Sequence, residues 1–126
     1  MNLAEIYQRF ENCKSWEERY RLLIQLSHQL PKLTEEELAQ LPKIHGCESR
    51  LWFSFQIEPR KVVAYSDARL MQGILVIIIT ALDEIPSESL PQFDLTGLFN
   101  KLKIAQHLTS TRLNGLRQIQ QIVTNR

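Results

Sequence analysis

The apolar stretch Leu70–Leu82 is the feature that most restricts how this chain can fold. Its 13 residues are too few to cross a bilayer as a helix, which needs about 20 apolar residues, so the stretch must be buried within protein. The branched run Ile74–Ile79 would also suit a central strand. The total length, and Ser66 and Asp67 as a helix start, favour a helix buried on nearly all sides. We predict a buried helix.

The N-terminal third has the pattern of helices. A short amphipathic helix is expected at about Ala4–Glu11. Ser15 with Glu18, and Thr34 with Glu37, have the spacing of capping boxes and predict two further helix starts. The expected buried stripe of the longer helix comprises Trp16, Tyr20, Leu23, Ile24, Leu26, Ser27 and Leu30.

The middle of the chain has the pattern of a β-hairpin. Leu51–Ile57 is rich in aromatic residues, with Phe53, Phe55 and Ile57 expected on one face, and Lys61–Tyr65 is expected to be the second strand. Residues 58–61 fit a tight antiparallel turn. A sheet of this size needs helices for support, and the chain supplies them on both sides.

The C-terminal third returns to a helical pattern. Asp94 or Thr96 is expected to cap a short helix, and Thr109 or Ser110 a final one. In the final helix we expect Leu113, Leu116, Ile119 and Val123 to be buried, and Arg117, Gln118, Gln120 and Gln121 to face water. The predicted class is therefore α+β, with a small antiparallel sheet (hairpin about 50–65) packed against several helices.

Length and charge narrow the possible functions. The 126 residues suit a single domain, 1–126, and a hydrophobic content of 44% argues against disorder. A formal net charge of +1 without a basic run gives no footprint for nucleic acid or an anionic membrane surface. Residues 1–10 lack the apolar core of a secretion signal, so we expect a cytoplasmic protein.

Cys47 is the residue of greatest chemical interest. A single free cysteine is most often a small buried hydrophobic residue. Gly46 before it permits a sharp turn, and the polar neighbours Glu48, Ser49 and Arg50 suit a loop near the surface. From the residues alone, a buried thiol and a reactive thiol stay equally supported.

Other polar residues offer weaker sites. Cys13 has no activating neighbour, and His28 and His107 have no partners at metal-ligand spacing. Asp67, at the predicted start of the apolar helix, is read as a cap or as part of a helix N-terminus that favours an anion. Arg112 in the first turn of the last helix hints at a carboxylate partner.

Four segments stand out along the chain: Trp16–Tyr20 followed by Leu30-Pro31, Gly46–Trp52, Ser66–Ala68 leading to Gln72–Ile74, and His107–Leu116. In this order and at this spacing, they resemble the SufE/CsdE family of sulfur-acceptor proteins for cysteine desulfurases. The resemblance covers nearly the full length of the chain.

The resemblance implies a compact α+β fold similar to that of IscU-type iron–sulfur scaffolds. It implies that Cys47 accepts sulfur as a persulfide from a SufS- or CsdA-like desulfurase. The protein would thereby stimulate that enzyme and pass the sulfur toward iron–sulfur cluster assembly. The desulfurase would carry pyridoxal phosphate, and no cofactor or metal is expected on this chain. Independent turnover is not expected. Loop-support and partner roles are implied for Gly46, Ser49, Asp67, Gly73 and Arg112.

Other functional classes remain open at this point. A cluster scaffold would need several converging thiolates, whereas this chain has two cysteines in unlike contexts. A cysteine hydrolase would need a base such as His45 or His107 against Cys47. An interaction module without sulfur transfer would tolerate loss of the thiol. The identity of the desulfurase, the final destination of the sulfur and the oligomeric state do not follow from the sequence.

Overall fold

The computed structural model describes residues 1–46 and 49–125; Cys47, Glu48 and Arg126 lie outside the described residues. In the described part, six α-helices surround a three-stranded antiparallel sheet, which confirms the predicted α+β class. The elements are α1 Leu3–Glu11, α2 Trp16–Ser27, α3 Glu35–Leu38, β1 Lys43–Ile44, β2 Leu51–Gln56, β3 Lys61–Ser66, α4 Arg69–Glu84, α5 Leu95–Leu102 and α6 Ser110–Thr124, with 3₁₀ helices at Ser87–Gln92 and Ala105–His107.

Helix α4 is the central core element, as the apolar stretch predicts. Ten of its 16 residues are buried, and it packs against α2 and β3. Its predicted start is wrong: the helix begins at Arg69 after Ala68, and neither Ser66 nor Asp67 occupies the capping position. Ser66 instead ends β3. Within the described ranges, no helix is both long enough and apolar enough to cross a membrane.

Gly73 lets α4 approach α2 closely. A Cβ atom at this position would lie 2.1 Å from the carbonyl oxygen of Leu23, a backbone atom that no side-chain rotation can move. The absence of a side chain at Gly73 is therefore explained by helix packing.

The sheet has the order β1-β2-β3, and the β2–β3 pair is the predicted hairpin. Phe53 and Phe55 lie on one face of β2, as predicted, and are buried in the core, whereas Ile57 lies beyond the end of the strand. Trp52, on the opposite face, is covered by the side chains of Lys43 and Arg50. Strand β1 was not predicted. It has only two residues, too few to show an alternating pattern, and it is defined by its pairing with β2.

Both predicted capping boxes fall at helix starts. At Thr34 and Glu37 both reciprocal hydrogen bonds form. At Ser15 only one forms, because the Glu18 carboxylate accepts from the backbone N–H of Lys14 instead. The stripe predicted for α2 is partly wrong: Tyr20 is 44% exposed, and Leu22 is buried in its place.

The C-terminal third follows the predicted caps, with Asp94 starting α5 and Thr109 starting α6. Two glutamines predicted to face water instead make hydrogen bonds to other parts of the protein. The Gln120 side chain accepts from the backbone N–H of Leu95 at 2.8 Å and donates to the carbonyl of Phe93. Gln118 contacts the loop that follows β1. Both stabilise irregular backbone that has no partner in a helix or sheet.

Candidate functional site

The sequence-predicted site lies on the connection between β1 and β2. Cys47 itself lies outside the described residues, so the site is built here from its flanks: His45 and Gly46 on one side, Ser49 and Arg50 on the other. Gly46 has a φ of 89°, in the left-handed region that favours glycine. The sharp backbone predicted before the cysteine is therefore present at Gly46.

Helix α6 holds the N-terminal flank. The Gln118 side chain donates from Nε2 to the carbonyl oxygen of His45 at 2.7 Å. One helical turn earlier, Asn114 donates from Nδ2 to the carbonyl oxygen of Gly46 at 3.3 Å. Residues four apart on a helix share a face, so the two amides present their N–H groups to consecutive loop carbonyls.

Ser66, a fully buried polar residue, joins the C-terminal flank to the core. Its hydroxyl donates to the carbonyl of Arg50 at 2.7 Å and lies 3.5 Å from the hydroxyl of Ser49. The same oxygen accepts from the backbone N–H of Ala68 at 3.2 Å, and the carbonyl of Ser66 accepts from Gln72 at 2.7 Å. One residue therefore connects the loop, the end of β3 and the start of α4.

Arg50 forms the charged part of this flank. Its backbone N–H and its Nε both donate to the Asp67 carboxylate, at 3.2 and 2.8 Å, and its Nη1 donates to Glu35 at 2.8 Å. The guanidinium also lies over the ring of Trp52, 4.9 Å from its centroid. Asp67 is thus an ion-pair partner of the loop and not a helix cap.

The ion pairs shift the acid–base properties of all three groups. Hydrogen bonds from Arg50 hold the pKa of Glu35 below its ordinary value, with a further contribution from the positive charge. The same hydrogen bonding lowers the pKa of Asp67, against a smaller opposing effect of burial. The pKa of Arg50 is raised by its hydrogen bonds to the two carboxylates. All three groups are charged across the neutral pH range.

The predicted support residues fall into two groups. Gly46, Ser49 and Asp67 lie at the two flanks of the Cys47 position, where their contacts hold the loop. Gly73 lies in α4 at the contact with α2, where helix packing explains it. Arg112 is half-buried in the first turn of α6, where its backbone N–H is capped by Thr109.

Sequence reasoning missed four residues that contact these flanks. Glu35 lies in the first turn of α3, where an acidic residue indicates only a helix start, and the sequence predicts Ser66 only as part of a helix start. Asn114 and Gln118 carry no local signal, because an amide on a polar helix face has the same sequence pattern whether it meets water or a distant carbonyl. Their partners are 68 and 73 residues away along the chain.

Cys13 has surroundings that disfavour a reactive thiol. It is half-buried, and its thiol donates to the carbonyl of Arg9 at 3.5 Å. Burial raises the pKa of the Cys13 thiol, Glu18 raises it further, and Arg19 opposes them. The reactive thiolate is therefore less populated at Cys13 than for an ordinary cysteine.

The histidines have structural or solvent-exposed environments. The ring of His107 stacks on Trp16, with centroids 4.1 Å apart, and the His45 side chain is exposed. Across residues 1–46 and 49–125, no three histidine, cysteine or carboxylate side chains are grouped as a metal site would require.

The chain resembles known proteins over nearly its whole length. Residues 4–126 match the family described as "SufE: Fe-S metabolism associated domain". The chain is also 40% identical over 123 residues to an uncharacterized SufE-like protein of Haemophilus influenzae, covering 94% of this chain and 96% of that protein. Together with the α+β fold, these matches show that the chain belongs to the SufE family and has a role in iron–sulfur metabolism.

Proposed function

We propose that this protein accepts sulfane sulfur from a pyridoxal-phosphate-dependent cysteine desulfurase, SufS- or CsdA-like, as a persulfide on Cys47. It stimulates the desulfurase by removing the product sulfur and passes that sulfur to an iron–sulfur scaffold or another acceptor. The pyridoxal phosphate belongs to the partner, and this chain needs no cofactor of its own. We place the reaction in the cytoplasm, where thiols are kept reduced.

The proposed step is a thiol–persulfide exchange. The Cys47 thiolate attacks the terminal sulfur of the desulfurase persulfide, and a new sulfur–sulfur bond forms as the original one breaks. The desulfurase cysteine leaves as a thiolate, and the proton of the persulfide travels with the transferred sulfur. No oxidant or reductant is consumed, because one sulfur–sulfur bond replaces another.

The observation that supports the proposal most directly is that both flanks of the Cys47 position are held by side chains from separate elements. Asn114 and Gln118 of α6 hold residues 45 and 46, and Ser66 and Asp67 hold residue 50. A carrier thiol must be presented to two different partners, and a loop with fixed ends on a rigid scaffold suits that task.

The contrast with the second cysteine also supports Cys47. A persulfide acceptor reacts as the thiolate, and the pKa of Cys13 is raised by burial and by Glu18. The Cys13 thiol also donates a hydrogen bond to a carbonyl within its own helical region. Cys13 is therefore the matched control for any experiment on Cys47.

Intact mass spectrometry tests the proposal. The protein is mixed with cysteine and, in separate reactions, a SufS-like and a CsdA-like desulfurase. We expect an adduct of about 32 Da, one sulfur atom, that maps to Cys47 and disappears on reduction. Cys13→Ser should acquire the adduct, and Cys47→Ser should not. An adduct that forms on Cys47→Ser but not on Cys13→Ser would show that Cys13 carries the sulfur and would refute the proposal.

The second part of the proposal concerns turnover of the partner. Addition of the parent protein should raise the rate at which the desulfurase releases alanine from cysteine, and Cys13→Ser should do so equally. Cys47→Ala should bind without raising that rate. If Cys47→Ala stimulates as well as the parent protein, the protein acts as an interaction module and not as a sulfur acceptor.

A further inference from the structure

Two side-chain amides on α6 are both directed at backbone carbonyls of one loop. Gln118 contacts the carbonyl of His45, and Asn114 contacts that of Gly46. In extended backbone, consecutive carbonyls point to opposite sides. The left-handed φ of 89° at Gly46 departs from that geometry, and both carbonyls meet the same helix.

The fit at Gly46 is close on the side that faces α6. A Cβ atom at this position would lie 2.7 Å from Nδ2 of Asn114, closer than real Cβ contacts. The backbone angle therefore favours glycine, and a side chain here would also displace the Asn114 amide from its hydrogen bond with the loop. The turn before Cys47 and the amide face of α6 form one complementary contact.

We infer that Asn114 and Gln118 are positioning residues for sulfur acceptance, which hold residues 45 and 46 against α6 and so anchor the chain directly before the reactive cysteine. This inference rests on the proposed function. Both residues act on the loop through hydrogen bonds that their uncharged side-chain amides donate.

The physical basis of the role is preorganisation. A loop whose ends are free samples many orientations, and only a fraction of them align a thiolate with a partner's sulfur–sulfur bond. The Gln118 hydrogen bond restricts the loop at His45, and the Asn114 hydrogen bond restricts it at Gly46. Loss of one amide should therefore reduce the rate of transfer within the complex more than the affinity of the complex.

Gln118→Glu is the sharpest variant. It keeps the shape of the side chain but replaces the N–H donor with a carboxylate oxygen, which repels the His45 carbonyl. Gln121→Glu is the matched control, because it makes the same charge change at an exposed position of the same helix. Asn114→Ala is a second variant at an exposed position, where truncation leaves the core intact.

Amide hydrogen exchange gives a readout that does not depend on sulfur chemistry. We expect exchange in the segment 44–50 to become about three- to tenfold faster in Gln118→Glu than in Gln121→Glu, as loss of one hydrogen bond predicts. Exchange in the β2–β3 hairpin should not change. Equal exchange in the two glutamate variants would overturn the inference.

Transfer kinetics give the second readout. The maximal rate of sulfur acceptance at saturating desulfurase should fall about three- to tenfold in Gln118→Glu and Asn114→Ala. The desulfurase concentration for half-maximal rate should stay the same. Faster exchange with an unchanged transfer rate would show that the amides serve the fold alone.

The two hypotheses fail in different ways. If the parent protein never carries sulfur on Cys47, the proposed function is wrong even though the exchange difference persists, and the positioning role falls with it. If the parent carries sulfur and the variants accept it at the parent rate, only the positioning role is overturned.

Discussion

The two flanks of Cys47 are held by different chemistry. Before the cysteine, neutral amides of α6 donate to backbone carbonyls. After it, the Arg50 guanidinium lies between two carboxylates, and its backbone is bound to Asp67 and Ser66. The first flank depends on geometry and on a left-handed glycine, and the second depends largely on charge.

Because the two flanks are held by different interactions, they are two independent supports of one loop, and each can be weakened without the other. Neutral hydrogen bonds are short-ranged and do not titrate near neutral pH, so the first flank should respond to shape-changing substitutions. Exposed ion pairs are screened by salt and lost when their carboxylates are protonated. Substitutions in the helix scaffold should have the largest effect and act on both flanks together, and changes within one flank should then separate the two supports.

Gly73→Ala should have the largest effect, and it should act on the whole fold. The added methyl group would be forced against the Leu23 carbonyl, so α2 and α4 must separate. Overpacking of this kind costs about 1–3 kcal/mol in the free energy of unfolding, a fall in Tm of roughly 5–15 °C. Thermal unfolding followed by circular dichroism measures it.

Gly97→Ala is the control for Gly73→Ala. The new Cβ would meet only the side chain of Asp94, at 2.5 Å, and that side chain can rotate away. Its loss of stability should be below about 1 kcal/mol, because the higher helix propensity of alanine offsets part of the weakened Asp94 cap. Equal losses in the two variants would contradict the packing role of Gly73.

Gly46→Ala should break the neutral flank. An alanine at a φ of 89° is strained by about 1–3 kcal/mol, and its Cβ would meet Asn114. We expect amide exchange in residues 44–50 to rise about tenfold or more, with little change in Tm because the loop can release locally.

The double variant Gly46→Ala/Asn114→Ala tests whether the two substitutions act through one contact. A Cβ atom at position 46 already displaces the Asn114 amide from its hydrogen bond, so the double variant should exchange about as fast as Gly46→Ala alone. Exchange that rises by the full product of the two single effects would show that Gly46 and Asn114 act separately.

Asp67→Asn should weaken the charged flank by a smaller amount. The amide can still accept from the backbone N–H of Arg50, but the ion pair with the guanidinium is lost. Because these side chains are more than 40% exposed, we expect only about two- to fivefold faster exchange at residues 49 and 50. Residues 45 and 46 should not change, and equal loosening of both flanks would contradict their independence.

Mild acid should have the smallest effect, limited to the charged flank. The pKa values of Asp67 and Glu35 lie below their ordinary values of 3.8 and 4.5. A lowered folded-state pKa means that the stabilisation is complete above the ordinary value and is lost as pH falls through the folded value. Protection of residues 49 and 50 should therefore persist down to about pH 4.5 and fall below it, while Asn114 and Gln118 do not titrate.

Much of the fold follows from local sequence patterns. The apolar stretch at 70–82, the hairpin and the caps at Thr34, Asp94 and Thr109 are each determined by neighbouring residues, and each is confirmed. The predicted start of α4 is wrong because Asp67 could either cap the helix or pair with a distant cation. The sequence does not show that Arg50, 17 residues earlier, binds it.

The site was predictable only in part, for a related reason. The turn at Gly46 could be predicted because a glycine at this point is a local signal for a sharp backbone. Its left-handed φ confirms the turn. Asn114, Gln118 and Ser66 act across long separations, where polarity and spacing say nothing about the partner. The resemblance implies a site role for Gly73, although the contact that requires a glycine there is with the backbone of Leu23.

The position of α6 has a consequence for how the protein is made. The contacts of Asn114 and Gln118 with the loop join segments 68 and 73 residues apart, and α6 emerges from the ribosome long after the β2–β3 hairpin. Helix α6 also contributes Leu116, Ile119 and Val123 to the core, and a domain of this size generally folds as a unit. The contacts at residues 45 and 46 therefore form only after the last helix has been synthesised, when every other part of the chain already exists.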